Sequence, residues 1–362
     1  SPFAEMLQSY DAARIAQSLI PEGTGETKEW NGYARAILEG ILERLFERDM
    51  ATNQALVYYA LGASTQELGQ LCEGTPAGVF FAAGNERQLG SIRGILSTYI
   101  KPLTYLRPEA GRQSFSIRNW TETNSDGWLF ISYRDDQLSA IRSMVGAQID
   151  MAATGILSQE EELGRRLWFV LDEFATLGEI NSIEPLLSKG RKYGVCAALG
   201  YQSIAQPRMT YGREKAQTIL AGLSTWVVLR QQDAESADYM SQYLGDEEIR
   251  REIRSSSNNK DSTSENTAEQ YLRQRAILPA ELQQLADLQA LVNIAGPLPP
   301  AWTEIPLSET PKYDTLPPKA LEEIPNFKPM LIQSPAAQLA APSQDKKEGD
   351  EPPAFDYAAA LR

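Results

Sequence analysis

Leu167-Trp-Phe-Val-Leu-Asp172-Glu173 is the stretch whose residue types and spacing point most directly to chemistry. Five hydrophobic residues ending in two carboxylates describe a strand that delivers rigid acids at its carboxyl end, a Walker B pattern. There the first acid holds the magnesium shell on the β- and γ-phosphates, and the second orients and activates the attacking water. Taken alone, the same run also describes a strand whose terminal acids cap the next helix. Further along, a second apolar run ends in Gly200-Tyr-Gln202-Ser203. A parallel sheet would set this neutral amide beside the acid pair, where it can hydrogen-bond both a γ-phosphate and the attacking water. Between the two runs lies Ser188-Lys-Gly-Arg191-Lys192-Tyr-Gly194. Such a basic turn ordinarily marks a solvated helix end, where lysine and arginine are favoured. Near a nucleotide, its arginine can instead reach a neighbouring subunit's γ-phosphate and neutralise charge developing in the transition state.

The elements that must position these groups follow from periodicity. Before residue 110 the chain reads as helical. In 29–48, Trp30, Tyr33, Ala34, Ile37, Leu38, Ile41, Leu42 and Leu45 share one helix face, which is plain core packing. A second helix is predicted at 85–101, ending before Pro102, with shorter ones at 10–20, 52–61 and 64–72. The period then changes. Gly127–Tyr133 reads as a strand buried on both faces, followed by a helix at 135–153. Strands at 167–171, 195–199, 224–229 and 288–294 alternate with helices at 178–190 and 213–222, the pattern of βαβ crossovers and a parallel α/β sheet. In such sheets ligands bind beyond the carboxyl ends of the strands, where Asp172, Glu173 and Gln202 stand. Residues 254–270 are polar enough to read as a flexible loop. From 308 onward proline is dense and no period persists, so 308–362 reads as a Pro-rich acidic tail, mostly disordered. Its last residues, Ala354–Leu361, have the makings of a short docking helix or of a frayed terminus.

Composition narrows the chemistry. The 362 residues suggest about two domains, and 42% hydrophobic with 23% charged content is ordinary for a globular chain. There is no histidine, which excludes a Ser-His-Asp triad, a Cys-His nucleophile and a His-containing zinc site. A net charge of −14 argues against a general basic nucleic-acid coat but leaves room for a local basic groove. Cys72 and Cys196 each sit in an apolar stretch and read as small buried hydrophobes, not a disulfide. No apolar run approaches the ~18 residues needed to span a bilayer.

The run Trp-Phe-Val-Leu-Asp-Glu-Phe-Ala-Thr-Leu-Gly (168–178), the Ser-Lys-Gly-Arg-Lys-Tyr-Gly turn and Gly-Tyr-Gln-Ser together resemble type IV secretion coupling proteins of the TraD/TrwB type. The likeness extends over roughly residues 8–306, including Leu19-Ile-Pro-Glu-Gly and Ile277-Leu-Pro-Ala-Glu-Leu. It implies an α/β, RecA-like P-loop NTPase-type parallel sheet (incomplete here), with an all-α domain and a disordered C-terminal tail. On that pattern 1–112 is the all-α domain, 113–307 the C-terminal part of the RecA-like nucleotide-binding domain, and 308–362 the tail. It further implies ATP and Mg2+ as cofactors, with Asp172 and Glu173 as the Walker B pair and Asp172 holding Mg2+ through water. Arg191 would be an arginine finger acting in trans, and Gln202 a γ-phosphate sensor. The implied partners are DNA (single- or double-stranded) in the central channel of a homo-hexamer, relaxase and relaxosome proteins, and the secretion channel. The implied place is the cytoplasmic face of the bacterial inner membrane.

The sequence departs from that family in one large respect. Gly-x-x-x-x-Gly-Lys-Ser/Thr is absent from all 362 residues. Gly23-Thr-Gly-Glu-Thr-Lys28 has glycines and a lysine without the required ending, and it lies in a helix connection. The economical expectation is that Ser1 is not the natural start and that a phosphate loop and a membrane hairpin precede it; a decayed protein is the alternative. A non-hydrolysing scaffold that keeps the fold for protein docking is the competing function. A septal chromosome-type translocase fits the Asp-Glu-Phe context and the helical region less well.

Overall fold

A computed structural model describes residues 1–106, 115–123, 127–259, 262–307 and 330–335. The amphipathic patterns become α1 (Asp11–Leu19), α2 (Glu26–Glu47), α3 (Asn53–Val57), α4 (Thr65–Leu71) and α5 (Glu86–Ile100). Ala34, Ile37, Leu38, Ile41, Leu42 and Leu45 of α2 are all fully buried, so its apolar stripe is indeed core. The α3 pattern breaks into a π-turn at Tyr58–Gly62, and α5 passes into a 3-10 turn at Lys101–Tyr105 that accommodates Pro102. After α6 (Ile117–Glu122), the long α7 (Asp135–Leu157) packs against both α1 and α6. A single buried apolar cluster therefore runs from Phe3 through the helices to Phe169, Phe174 and Ile219.

A capping box starts α4. Ser64 Oγ accepts from the Glu67 amide, and the Glu67 carboxylate accepts from the Ser64 amide (2.8 Å), the Ser64 hydroxyl (2.7 Å) and the Tyr58 phenol (2.7 Å). The Ser64 and Tyr58 bonds hold the Glu67 carboxyl down at about 2, from an ordinary 4.5. A depressed carboxylate pKa contributes stability that is complete above the unfolded value and fades as pH falls from 4.5 toward 2. Urea denaturation should therefore show Glu67→Gln costing stability near neutral pH and progressively less as pH falls through that window.

The sheets are β1 (Leu167–Leu171) and β2 (Val195–Leu199), paired in parallel around α8 (Ile183–Lys189), and an antiparallel sheet further along the chain. After α9 (Ala205–Tyr211) and α10 (Arg213–Ala221), β3 (Thr225–Val228) leads to α11 (Ala234–Leu244). The chain continues through β4 (Asp246–Asn259), β5 (Ser262–Arg275), α12 (Pro279–Gln283), β6 (Gln289–Ile294) and β7 (Ala301–Glu304). The expected parallel series stops at β2: β3 pairs antiparallel with β6, and β6 with β7. A short apolar run carries no direction, and here Trp226, Val228 and Leu291 are buried in a second core with Met240, Ile277, Leu282 and Leu285.

Two further expectations are corrected. Gly127–Tyr133 joins no ladder among the described residues, and its burial alternates. Trp128 and Phe130 point outward and stack on each other at 6.0 Å, while Leu129, Ile131 and Tyr133 pack on the core. It is a one-sided segment, and so is β1, whose Trp168 and Val170 are more than half exposed around buried Phe169. Residues 254–259 and 262–270, expected to be part of a flexible loop, belong to β4 and β5, an antiparallel pair that reads from Asp246↔Arg275 to Asn259↔Ser262. No glycine or proline interrupts 246–275, so backbone pairing continues where there is no apolar face to announce it. The proposed tail at 308–329 and 336–362, with its Ala354–Leu361 peptide, lies outside the described residues. Both cysteines are free; burial pushes the Cys72 thiol up to about 12, as expected of a packed hydrophobe. No helix among the described residues is long and apolar enough to cross a membrane.

Candidate nucleotide site

The parallel register sets Leu171 beside Leu199, which carries Asp172 and Gly200 side by side past the strand ends. Gly200 N–H donates to Leu171 O and Phe174 N–H to Gly200 O, both at 2.9 Å, so the ladder runs on to the acid pair. The approach is so close that a Cβ at Gly200 would overlap the Asp172 carbonyl; only glycine fits. Below the pair, Phe174 is fully buried and stacks on Tyr211, with centroids 5.7 Å apart at 9°. Burying that ring contributes on the order of 2–3 kcal/mol and fixes the turn from which both carboxylates project. Tyr211 Oη accepts from Ile180 N–H at 3.1 Å, and desolvation drives its pKa upward, so it stays a neutral strut.

Asp172 is exposed, and among the described residues its carboxylate has no hydrogen-bond or ion-pair partner. Glu173 is half-buried. Its Oε2 accepts from Gln202 Nε2 at 3.2 Å, and its Oε1 is buried without a partner among the described residues. A buried carboxylate oxygen left open in this way is costly, and such exceptions concentrate where a ligand or catalytic water completes the set. Three of the four residues singled out in the sequence are therefore brought together: Asp172, Glu173 and Gln202.

Arg191 is not among them. It sits in the 3-10 turn Gly190–Tyr193 ahead of β2, at the amino end of the strands, about 16 Å of strand away from the acid pair. The side chain is exposed and has no ion pair or hydrogen bond among the described residues, whereas the adjacent Lys192 pairs with Glu161 at 2.5 Å. Gly194 closes this turn at φ 78°, where a Cβ would run into the Arg165 carbonyl. Of the Gly23–Lys28 sequence, Gly23–Gly25 lie in the connection between α1 and α2 and Glu26–Lys28 open α2; Gly23 N–H donates to Glu179 Oε2 at 3.0 Å and Lys28 pairs with Glu22 at 2.7 Å.

One contributor was overlooked in the sequence. Gln206 Oε1 accepts from the Gln202 amide (2.8 Å) and the Ser203 amide (3.4 Å), and so orients the turn that presents Gln202. Its signal was legible as Ser203-Ile-Ala-Gln206, half of a capping box at the start of α9.

Comparison with known proteins supplies the context for this geometry. Residues 1–306 match the family model of the type IV secretion-system coupling protein DNA-binding domain. The chain belongs to that family. It is 28% identical over 345 residues to the coupling protein TraD of Escherichia coli K12, covering 93% of this chain but 47% of TraD. It is 27% identical over 184 residues to the conjugal transfer protein TraG of Rhizobium radiobacter, covering 51% of this chain and 28% of TraG. The chain thus spans less than half the length of these relatives. Among solved structures, the bacterial conjugative coupling protein TrwBdeltaN70 in its unbound monoclinic form superposes with a TM-score of 0.77 at 34% identity. That match covers 85% of this chain and 71% of the TrwBdeltaN70 chain. TrwB has also been solved with the ATP analogue ADPNP and with ADP and Mg2+.

Proposed function

We propose that this chain forms the hydrolytic side of the nucleotide site, and the DNA-handling body, of a conjugative coupling protein: a homo-hexameric ATPase that delivers DNA to a type IV secretion channel. The observation that carries the reading is Glu173, with one oxygen steadied by Gln202 and the other buried and open. The residues present fit one half of a Mg2+–ATP site. Asp172, exposed and unpaired, would hold the cation through water, and the cation would supply neutralisation of phosphate charge. Glu173 would take the proton of the attacking water at Oε1, and Gln202 keeps that carboxylate in place while its amide reports the γ-phosphate. No cluster of three or more His, Cys, Asp or Glu among the described residues forms a closed metal cage, in keeping with a cation held largely by the nucleotide. The remaining half, a backbone nest and lysine for the β- and γ-phosphates, is proposed to come from a segment outside these 362 residues.

Arg191, at the opposite end of the strands, is proposed to serve the site of the next subunit in the ring. DNA in a central channel needs only a basic lining, which a net charge of −14 permits. Docking to relaxosome proteins and placement at the cytoplasmic face of the inner membrane belong to the same proposal, drawn from the family. The 362-residue chain by itself is expected to bind ATP only in the millimolar range or weaker and not to turn it over. Isothermal titration checks this, and micromolar affinity would contradict the assignment of a half-site. Supplying the phosphate loop should then yield DNA-stimulated hydrolysis; none would favour the scaffold role.

A further inference from the structure

Residues 330–335 lie against the helical layer, far along the chain from it. Met330 N–H donates to the carbonyl of buried Thr104 at 2.8 Å. The Thr104 hydroxyl is already turned inward to Lys101 O (2.7 Å), so its carbonyl is what the 3-10 turn Lys101–Tyr105 offers outward. Two residues on, Ile332 fills the notch left by Gly62 at the end of the π-turn. A Cβ at Gly62 would overlap the Ile332 Cγ2 methyl. Two residues further, the Ser334 hydroxyl hydrogen-bonds the Tyr58 phenol, which also donates to Glu67. Contacts at 330, 332 and 334 with Leu331 turned to solvent (73% exposed) show the period of an extended peptide laid on a surface. Pro329 and Pro335 bracket the segment, and the residue before a proline is biased toward the extended conformation.

We propose that the groove between the π-turn Tyr58–Gly62 and the 3-10 turn Lys101–Tyr105 is a peptide-docking site whose occupant is the chain's own segment Met330–Pro335. The widened π-turn is part of the device, since such turns recur where a helix must open to a ligand. The 22 residues 308–329 reach up to about 70 Å when extended, ample to bring the segment from β7 to the groove of the same molecule. With one main-chain bond, one isoleucine still 46% exposed and one hydroxyl contact, the free peptide would bind weakly. The tether supplies a millimolar effective concentration, which offsets that weakness.

Hydrogen exchange on the full 362-residue chain tests this at the Met330 amide. Exchange should be slowed about tenfold relative to an unstructured segment, as for a tethered peptide with a site of ~0.1 mM affinity. Gly62→Ala should abolish the protection, because the new methyl takes the place of Ile332 while its other near neighbour, Tyr58 Cδ2, stays at an ordinary 3.5 Å. Ile332→Asp should do the same from the other side, leaving the amides of α2 and α5 unchanged; it carries the test alone if Gly62→Ala disturbs the helices. Protection retained in Ile332→Asp would overturn the proposal. Protection that rises with protein concentration would assign the occupant to a second copy and overturn the assignment to the same molecule.

Discussion

Glu173→Gln, in a ring-forming protein that supplies the phosphate loop, is expected to lower ATP turnover by about two to four decades while nucleotide still binds. The replacement keeps the shape of the side chain and an oxygen able to accept from Gln202 Nε2, so the turn anchored by Phe174 should not move. What is lost is the basicity of Oε1, the buried atom without a partner among the described residues. In the proposed site Asp172 would remain to hold the cation, so binding and hydrolysis should separate. Steady-state hydrolysis beside titration with a fluorescent ATP analogue reads the two independently. Near-normal turnover would make Glu173 a structural acid of the turn that follows β1.

Arg191→Ala is expected to remove three decades or more of hydrolysis, the usual worth of an arginine finger, again with nucleotide still bound. Exposed and without an ion-pair partner among the described residues, Arg191 is expected to contribute little to its own fold. As a plain cationic cap near the end of α8 it would be worth at most about 1 kcal/mol, and activity would survive its loss. The finger and the cap therefore predict opposite results from one variant. Arg191→Lys should not rescue hydrolysis, since lysine lacks the planar fork that spans two phosphate oxygens. Thermal denaturation of both variants checks that the fold is intact.

The site was legible where local chemistry and sheet topology agree. An apolar run ending in Asp172-Glu173, and a second ending in Gly200-Tyr-Gln202, needed only parallel pairing of β1 with β2 to meet, and the structure provides it. The helices were legible because their apolar residues recur at the α period, as in α2 and α5, and burial follows that period. What failed were inferences from apolar content alone. Trp128, Phe130, Trp168 and Val170 belong to runs that look doubly buried, yet each points outward, because such a run does not say how many faces are covered. Trp226–Val228 and Leu291–Ile294 look like further parallel strands, but direction is set by where the chain re-enters the sheet. The outer part of the β4–β5 pair was invisible for the converse reason: beyond Ile249↔Leu272 and Ile253↔Ala268 at its base, pairing is carried by backbone bonds between polar residues. Gln206 escaped because its role runs through two backbone amides and not through any reacting group.

The proposed division of labour between the two ends of the β1–β2 pair is tested most directly by mixing subunits. Arg191→Ala and Glu173→Gln proteins, each inactive, are combined in one ring, with mixed assembly verified by differential mass labels. An arginine that serves the neighbouring subunit makes some composite sites with one intact Glu173 and one intact Arg191, and partial ATPase activity returns. Verified mixed rings with no recovery would contradict the account, placing Arg191 in its own subunit's chemistry or outside the chemistry altogether.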